Sequence, residues 1–293
     1  MNLKYNKSFR SILSFFSTGI NNLKNTILSV GYIFALSSFS VAHRTKAIQS
    51  LKVGKQCCIL GNGPSLKDAL NNNEVRWRDT DVMCVNMFCQ DVNFWLLKPR
   101  FYFVSDPAYF MPNSDRLHKL VDILVTNLAK VDWDMYFVTG ANIPECKLMS
   151  EIQNNKHIKV INVNCTQVSG YKSFRHFIYR HYLGMPRCQT IINMALTSAI
   201  NMGYNNVFLY GADHSWTKDL RVDDNNVVCY GDSHVYNTNI QVIKKEYNIA
   251  FLLDAFAKMF QSHYLIEEYA ESRGVKIFNC TKGSFIDAYE RML

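Results

Sequence analysis

The chain of 293 residues is 48% hydrophobic and 19% charged, with only 13 Gly and 6 Pro. That composition excludes disordered and collagen-like classes and leaves one large domain, with or without an appendage. Residues 1–55 hold eight basic residues and no Asp or Glu, so the whole net charge of +8 belongs to this N-terminal stretch. The remaining residues balance to zero, and no nucleic-acid partner is expected.

Residues 1–54 read as a basic, apolar helical arm. The 19 residues between Lys24 and Arg44 carry no Lys, Arg, Asp or Glu, but four serines and two further polar residues make insertion across a bilayer marginal. A signal peptide fits badly, because the apolar stretch begins late and no clear small-residue cleavage site follows. Two readings stay open, with a true span as a third. The arm forms basic amphipathic helices on an anionic membrane surface, or it packs on the body as a helical extension. Nine scattered cysteines with no C-x-x-C pair argue against a zinc or redox motif and point to a reducing compartment. The expected location is cytoplasmic, peripheral at the inner face of the cytoplasmic membrane.

Residues 55–293 read as the catalytic domain. Apolar runs at 56–60, 82–88, 101–105, 135–139, 159–163, 206–211 and 276–280 are continuous rather than alternating, as in parallel strands covered on both faces. Helical patterns fall at about 65–72, 115–130, 173–183, 189–202, 246–272 and 284–292. The alternation predicts an α/β fold with a doubly wound, mainly parallel sheet and helices on both faces. Ligands of such sheets sit outside the carboxyl ends of the strands. Those ends carry Gly61-Asn62-Gly63, Asn86, Asp106-Pro107 and Gly211-Ala212-Asp213. The polar segment at about 214–245 reads as a lid loop.

Gly61, Asn62, Gly63 and Ser65 stand in Q-C-C-I-L-G-N-G-P-S-L, which is neither a dinucleotide fingerprint nor a P-loop. Bare backbone there suits close approach to an anion, or a tight strand-to-helix turn with no ligand. Asn86 and Asp106 are candidates for ligand contact or for local turn chemistry. Arg187, Gln189 and Thr190 stand at the start of the 189–202 helix, where a guanidinium and a hydroxyl could meet a phosphate, or Thr190 could simply cap. Asp213, His214 and Trp216 follow the sixth strand. Tyr230, His234 and Tyr236 lie in Y-G-D-S-H-V-Y, where a histidine can accept a proton and tyrosines can donate to a leaving group. No metal-ligand spacing is apparent.

Taken together, G-N-G-P-S-L, V-N-M-F, S-D-P, V-F-L-Y-G-A-D, D-S-H and G-V-K-I-F-N-C resemble the bacterial lipooligosaccharide sialyltransferases of glycosyltransferase family 42. They are also similar to the wider set related to the 6-hydroxymethylpterin diphosphokinases. The resemblance covers roughly residues 55–291. It implies a modified Rossmann, GT-A-like fold and an inverting, metal-independent transfer of a sialic acid or related keto-sugar acid from a CMP donor to a cell-surface glycan or glycolipid. Asn62 and Gly63 would lie at the nucleotide phosphate and ribose, and Asn86 at the cytidine side. Asp106 stands where the family commonly has Asn. Thr190 would lie near the sugar carboxylate or phosphate, and His214 is a departure toward the pterin-kinase relatives. His234 would be the general base, with Tyr230 and Tyr236 stabilising the departing phosphate. No cofactor is expected beyond the donor, and the sequence leaves an oligomer open. The alternative is an Mg²⁺-dependent diphosphokinase, for which Asp106, Asp213 and Asp232 are the available carboxylates. A non-catalytic nucleotide-binding protein is a third reading.

Overall fold

A computed structural model of the protein describes residues 3–72, 80–234, 237–242 and 247–293, with side chains for 16–71, 80–231 and 247–293. Helix α1 (Leu3–Leu36) is followed by α2 (Phe39–Thr45), which Ser38 caps by accepting from the Val41 N–H at 3.2 Å. The body is built on an eight-stranded sheet in the order β11-β10-β6-β1-β2-β3-β4-β5, every described pairing being parallel. Its strands are β1 (Gln56–Leu60), β2 (Asp81–Val85), β3 (Phe101–Phe103), β4 (Met135–Gly140), β5 (Ile158–Val163), β6 (Asn206–Tyr210), β10 (Lys276–Asn279) and β11 (Glu290–Arg291).

Alternate strand residues feed two cores, which is why the strands read as unbroken apolar runs. Cys57, Ile59, Met83 and Val85 pack with Ile192, Ala195 and Leu196 of the buried helix Ile191–Met202 on one face. Cys58, Leu60, Val82 and Cys84 pack with Leu66, Phe94 and Leu124 on the other. Six of the nine cysteines are buried, all nine are free, and they serve as small apolar side chains. The helix Ile191–Met202 ends at Gly203, whose φ of 78° supplies the left-handed cap.

The doubly wound parallel sheet is as predicted, with four local differences. The second strand stops at Val85, because Asn86 takes a φ of 47° and opens a 3₁₀ turn over Asn86–Gln90. Helices at Val92–Leu97, Pro107–Phe110 and Lys147–Asn154 have no counterpart in the expected pattern. The segment after Asp213 holds a 3₁₀ turn (Trp216–Asp219) and an antiparallel sheet of β7 (Arg221–Val222), β8 (Val228–His234) and β9 (Asn237–Val242). The C-terminal 284–292 stretch is not helical. Its Phe285 N–H donates to Asp213 O at 2.8 Å and Ser284 Oγ to Ala212 O at 2.7 Å, so the groups that would start a helix clamp the end of β6 instead.

The arm is partly integral to the body. Ile33 and Ala42 are buried in the core, and Ile48 of the following turn is 2% exposed. Among the described residues no single helix is long and apolar enough to cross a membrane; the pair Phe16–Leu36 and Phe39–Leu51 reaches that composition jointly but is bent by 89°.

Candidate active site

The loops after β1, β2, β3 and β6 converge on a cleft of about 460 Å³ at the carboxyl ends of the strands, where a parallel sheet places its ligands. Gly61, Asn62, Gly63, Asn86, Asp106, Gln189, Thr190, Gly211, Asp213, His214 and Trp216 all line it, as do Val85, Ser105, Cys188, Ala212, Asp219 and Gly231. The site is therefore assembled from residues as far apart in sequence as 61 and 231.

The two glycines of the first turn serve the neighbouring strand rather than a ligand. Gly61 N–H donates to Tyr210 O and Gly63 N–H to Gly211 O, each at 2.8 Å. A Cβ at position 63 would lie 1.9 Å from Asp213 Oδ2, and one at position 61 would lie 2.4 Å from Gly211 O. The expectation of free amides cradling a phosphate at these two glycines is thus corrected: both donors are engaged, and the missing side chains let two loops cross.

Ser65 stands behind the wall and donates through Oγ to Asp213 Oδ2 at 2.8 Å. Burial pushes the Asp213 carboxyl above its usual range, and the Ser65 hydrogen bond opposes that rise without cancelling it. Asn62 donates from Nδ2 to Val85 O at 3.1 Å, which fixes the orientation of its amide. Its Oδ1 is buried with no partner, and so is Asn86 Oδ1. Asn86 is held in its left-handed conformation while its carbonyl accepts from the buried Tyr102 hydroxyl. Asp106 Oδ1 accepts from Ala108 N–H at 2.9 Å, so Asp106 shapes the turn at the cleft edge.

Thr190 caps the helix Ile191–Met202 and donates from both N–H and Oγ1 to Asn193 Oδ1, at 3.2 and 2.9 Å. Its hydroxyl oxygen can still accept. Arg187 is outside the first cleft. It donates from Nε to Gln189 Oε1 at 2.7 Å and lines a second cleft of about 570 Å³ with Leu36, Asn142, Cys165 and Gln167. The two clefts share Ser105, Cys188 and Gln189, so they lie side by side.

His214 is 6% exposed, has a φ of 50° and keeps its Nε2 without a partner. Behind it lies a group that sequence reasoning missed. The His263 ring is 5.1 Å from that of His214, and His263 Nδ1 is 2.8 Å from Tyr289 Oη. Burial, reinforced by His263, holds His214 well below the ordinary imidazole range; burial lowers His263 to about 3. Both rings are therefore neutral at physiological pH. His214 was a candidate from its place after the sixth strand; no sequence signal marked His263, which sits 49 positions away on the helix Ile249–Ser272.

Trp216 stacks on Phe256 with ring centroids 6.1 Å apart, and Tyr230 meets the edge of the same Phe256. Tyr230 is not among the residues lining the cleft, although its neighbour Gly231 is. The backbone of His234 ends β8, paired with Asn237; the His234 and Asp232 side chains and all of Tyr236 lie outside the described residues. Among the described residues no three His, Cys, Asp or Glu side chains converge as a metal-binding group.

No family model matches the chain, and no curated protein matches it. Among solved structures it is similar to the MAf glycosyltransferase from Magnetospirillum magneticum AMB-1, at 12% identity and a TM-score of 0.49. The match covers 87% of this chain and 38% of that one, so this chain spans well under half of its neighbour's length.

Proposed function

We propose that the protein is an inverting glycosyltransferase that moves a sialic acid, or a related keto-sugar acid, from a CMP donor to a hydroxyl of a cell-surface glycan or glycolipid. The observation that carries the nucleotide part is the pair of buried, unpartnered carboxamide oxygens on Asn62 and Asn86 in the cleft wall. A buried acceptor without a donor is costly, so a ligand that fills this wall has to bring N–H or O–H groups. A phosphate cannot do that, whereas a ribose or the amino group of a base can. In this reading the nucleoside lies against the Asn62–Asn86 wall and the phosphate lies toward the N-terminus of the Ile191–Met202 helix, where Ile191 and Ile192 line the cleft.

The sugar-acid identity comes from the motif resemblance. The adjacent second cleft supplies room for the acceptor beside the donor, as a two-substrate transfer requires. In this reading the acceptor hydroxyl loses its proton to His234 and attacks the anomeric carbon from the face opposite CMP. Negative charge grows on the departing phosphate as its bond to the sugar breaks. Arg187, Tyr230, Tyr236 and the N-terminus of the Ile191–Met202 helix are the groups assigned to stabilise it. Asp213, braced by Ser65, would hold the loop that presents His214 and Trp216.

One observation favours a second reading. Asp106, Asp213 and Asp219 line the first cleft, and no Lys or Arg does so among the described residues. Such a lining suits an Mg²⁺-nucleotide of a diphosphokinase. Turnover of CMP-sialic acid with a glycan acceptor in the presence of EDTA separates the two. Replacing His234 with Ala is expected to lower that turnover by about 10²-fold or more while CMP still binds. Strict dependence on Mg²⁺ and ATP would instead establish the kinase.

A further inference from the structure

The arm carries its polar and apolar faces the opposite way round from an ordinary surface helix, which turns its apolar side to the core. On α1, Thr26 and Ser29 make polar contacts with the body from the inward face. Ser29 Oγ donates to Ser169 O at 3.0 Å and accepts from Ser169 N–H at 2.9 Å, and Thr26 Oγ1 accepts from Tyr171 N–H at 3.1 Å. Ser37 Oγ reaches Leu183 O at 2.7 Å, and Asn164 bonds both the N–H and the carbonyl of Ser38 at 2.9 Å. The approach is tight enough that a Cβ on Gly170 would lie 2.1 Å from Thr26 Oγ1. Ser29 and Ser37, two of the four serines that made a membrane span look marginal, thus dock the arm on the body through their hydroxyls.

What faces outward is apolar. Phe16, Ile20, Leu23, Ile27, Val30 and Phe34 recur at helical spacing on one stripe about 27 Å long, and all six are exposed, Phe34 at 73% and Ile20 at 66%. At the bend after α1, Phe39 extends the stripe, its ring 6.2 Å from that of Phe34.

We propose that this stripe is a docking surface for an anionic lipid bilayer, on which α1 lies in the plane of the headgroups. Charge selects this occupant over a second copy of the chain. The eight cations and absent carboxylates of residues 1–55 would repel an identical arm, whereas an anionic surface attracts them. Insertion across the bilayer is disfavoured, because the body already satisfies the arm's inward hydroxyls and the helix pair bends by 89°. Leu36, at the end of α1, lines the second cleft, so the docked arm sets that cleft beside the membrane. The inference rests on the arm's own geometry and charge, independent of what the clefts bind.

The test is co-sedimentation of the full chain with vesicles of phosphatidylcholine alone or mixed with phosphatidylglycerol. Binding is expected only to the mixed vesicles, and it should weaken as salt screens the cations. The Ile20→Ser, Ile27→Ser, Phe34→Ser variant removes exposed side chains without touching the docking face. It is expected to lose about 100-fold in vesicle affinity with an unchanged unfolding midpoint. Wild-type-like binding by the variant, binding to pure phosphatidylcholine of equal strength, or a concentration-dependent dimer that the variant abolishes without any vesicle binding would each overturn the proposal.

Discussion

Ser65 Oγ lies 2.8 Å from Asp213 Oδ2 and links the turn after β1 to the turn after β6 across 148 positions of sequence. The glycine two residues before Ser65 makes that link possible, because a side chain at Gly63 would collide with the same carboxylate. The cleft floor is therefore a contact between two loops.

Gly63→Ala is expected to displace Asp213 and destabilise the protein by about 1–3 kcal/mol, as overpacking of a tight contact does. Gly31→Ala on the arm is the control. Nothing lies within 4 Å of a Cβ there, and the helix should gain about 0.5–1 kcal/mol. Urea unfolding of the two variants checks the contrast.

The raised carboxyl of Asp213 makes stability depend on pH in a known direction. Burial favours the protonated form in the folded state, so this group's contribution is full below its unfolded value near 3.8 and is lost as pH rises through its higher folded value. Asp213→Asn removes the dependence. Denaturation across pH 4–7 should show the variant gaining on the wild type as pH rises; parallel curves would mean the carboxyl does not titrate as described.

The buried pair His214 and His263 acts in the opposite sense. Both are neutral when folded and gain protons readily when unfolded, so their contribution is full above about pH 6.5 and falls away below it, toward about 3 for His263. Each ring can steepen the loss by up to about 1.4 kcal/mol per pH unit. His263→Gln, which can keep a hydrogen bond to Tyr289, should flatten the decline in melting temperature between pH 6.5 and 5.

Asn62→Ala and Asn86→Gly test the nucleoside wall. The first removes an unpartnered buried oxygen together with the Asn62 Nδ2 hydrogen bond to Val85 O, at a cost of about 1 kcal/mol, and the second relieves a left-handed backbone, so both variants should stay folded. Each is expected to weaken CMP binding by about 10-fold, read by calorimetry. Unchanged affinity in both would place the nucleoside elsewhere.

The sheet was legible because buried parallel strands leave unbroken apolar runs, and Gln56–Leu60 was placed to the residue. The strand ends then pointed to the cleft, since polar residues there have little other reason to interrupt a core. Two kinds of information were not local. The glycines of G-N-G look like an anion cradle until Tyr210 and Gly211 are seen taking their amides. The 284–292 stretch has helical spacing, but hydrogen bonds to Ala212 and Asp213 outweigh a marginal short helix. The arm's serines were read as flaws in an apolar span, because sequence does not tell which face meets the body.

The most direct test of the account is a thermal-shift comparison of CMP, CDP, UDP and ATP, each with EDTA and with Mg²⁺, since a ligand selective for the folded protein raises its melting temperature. The account expects CMP to raise it in EDTA, more than UDP or ATP, and expects Asn62→Ala and Asn86→Gly to reduce that shift. Stabilisation by ATP with Mg²⁺ alone, and none by CMP, would contradict it.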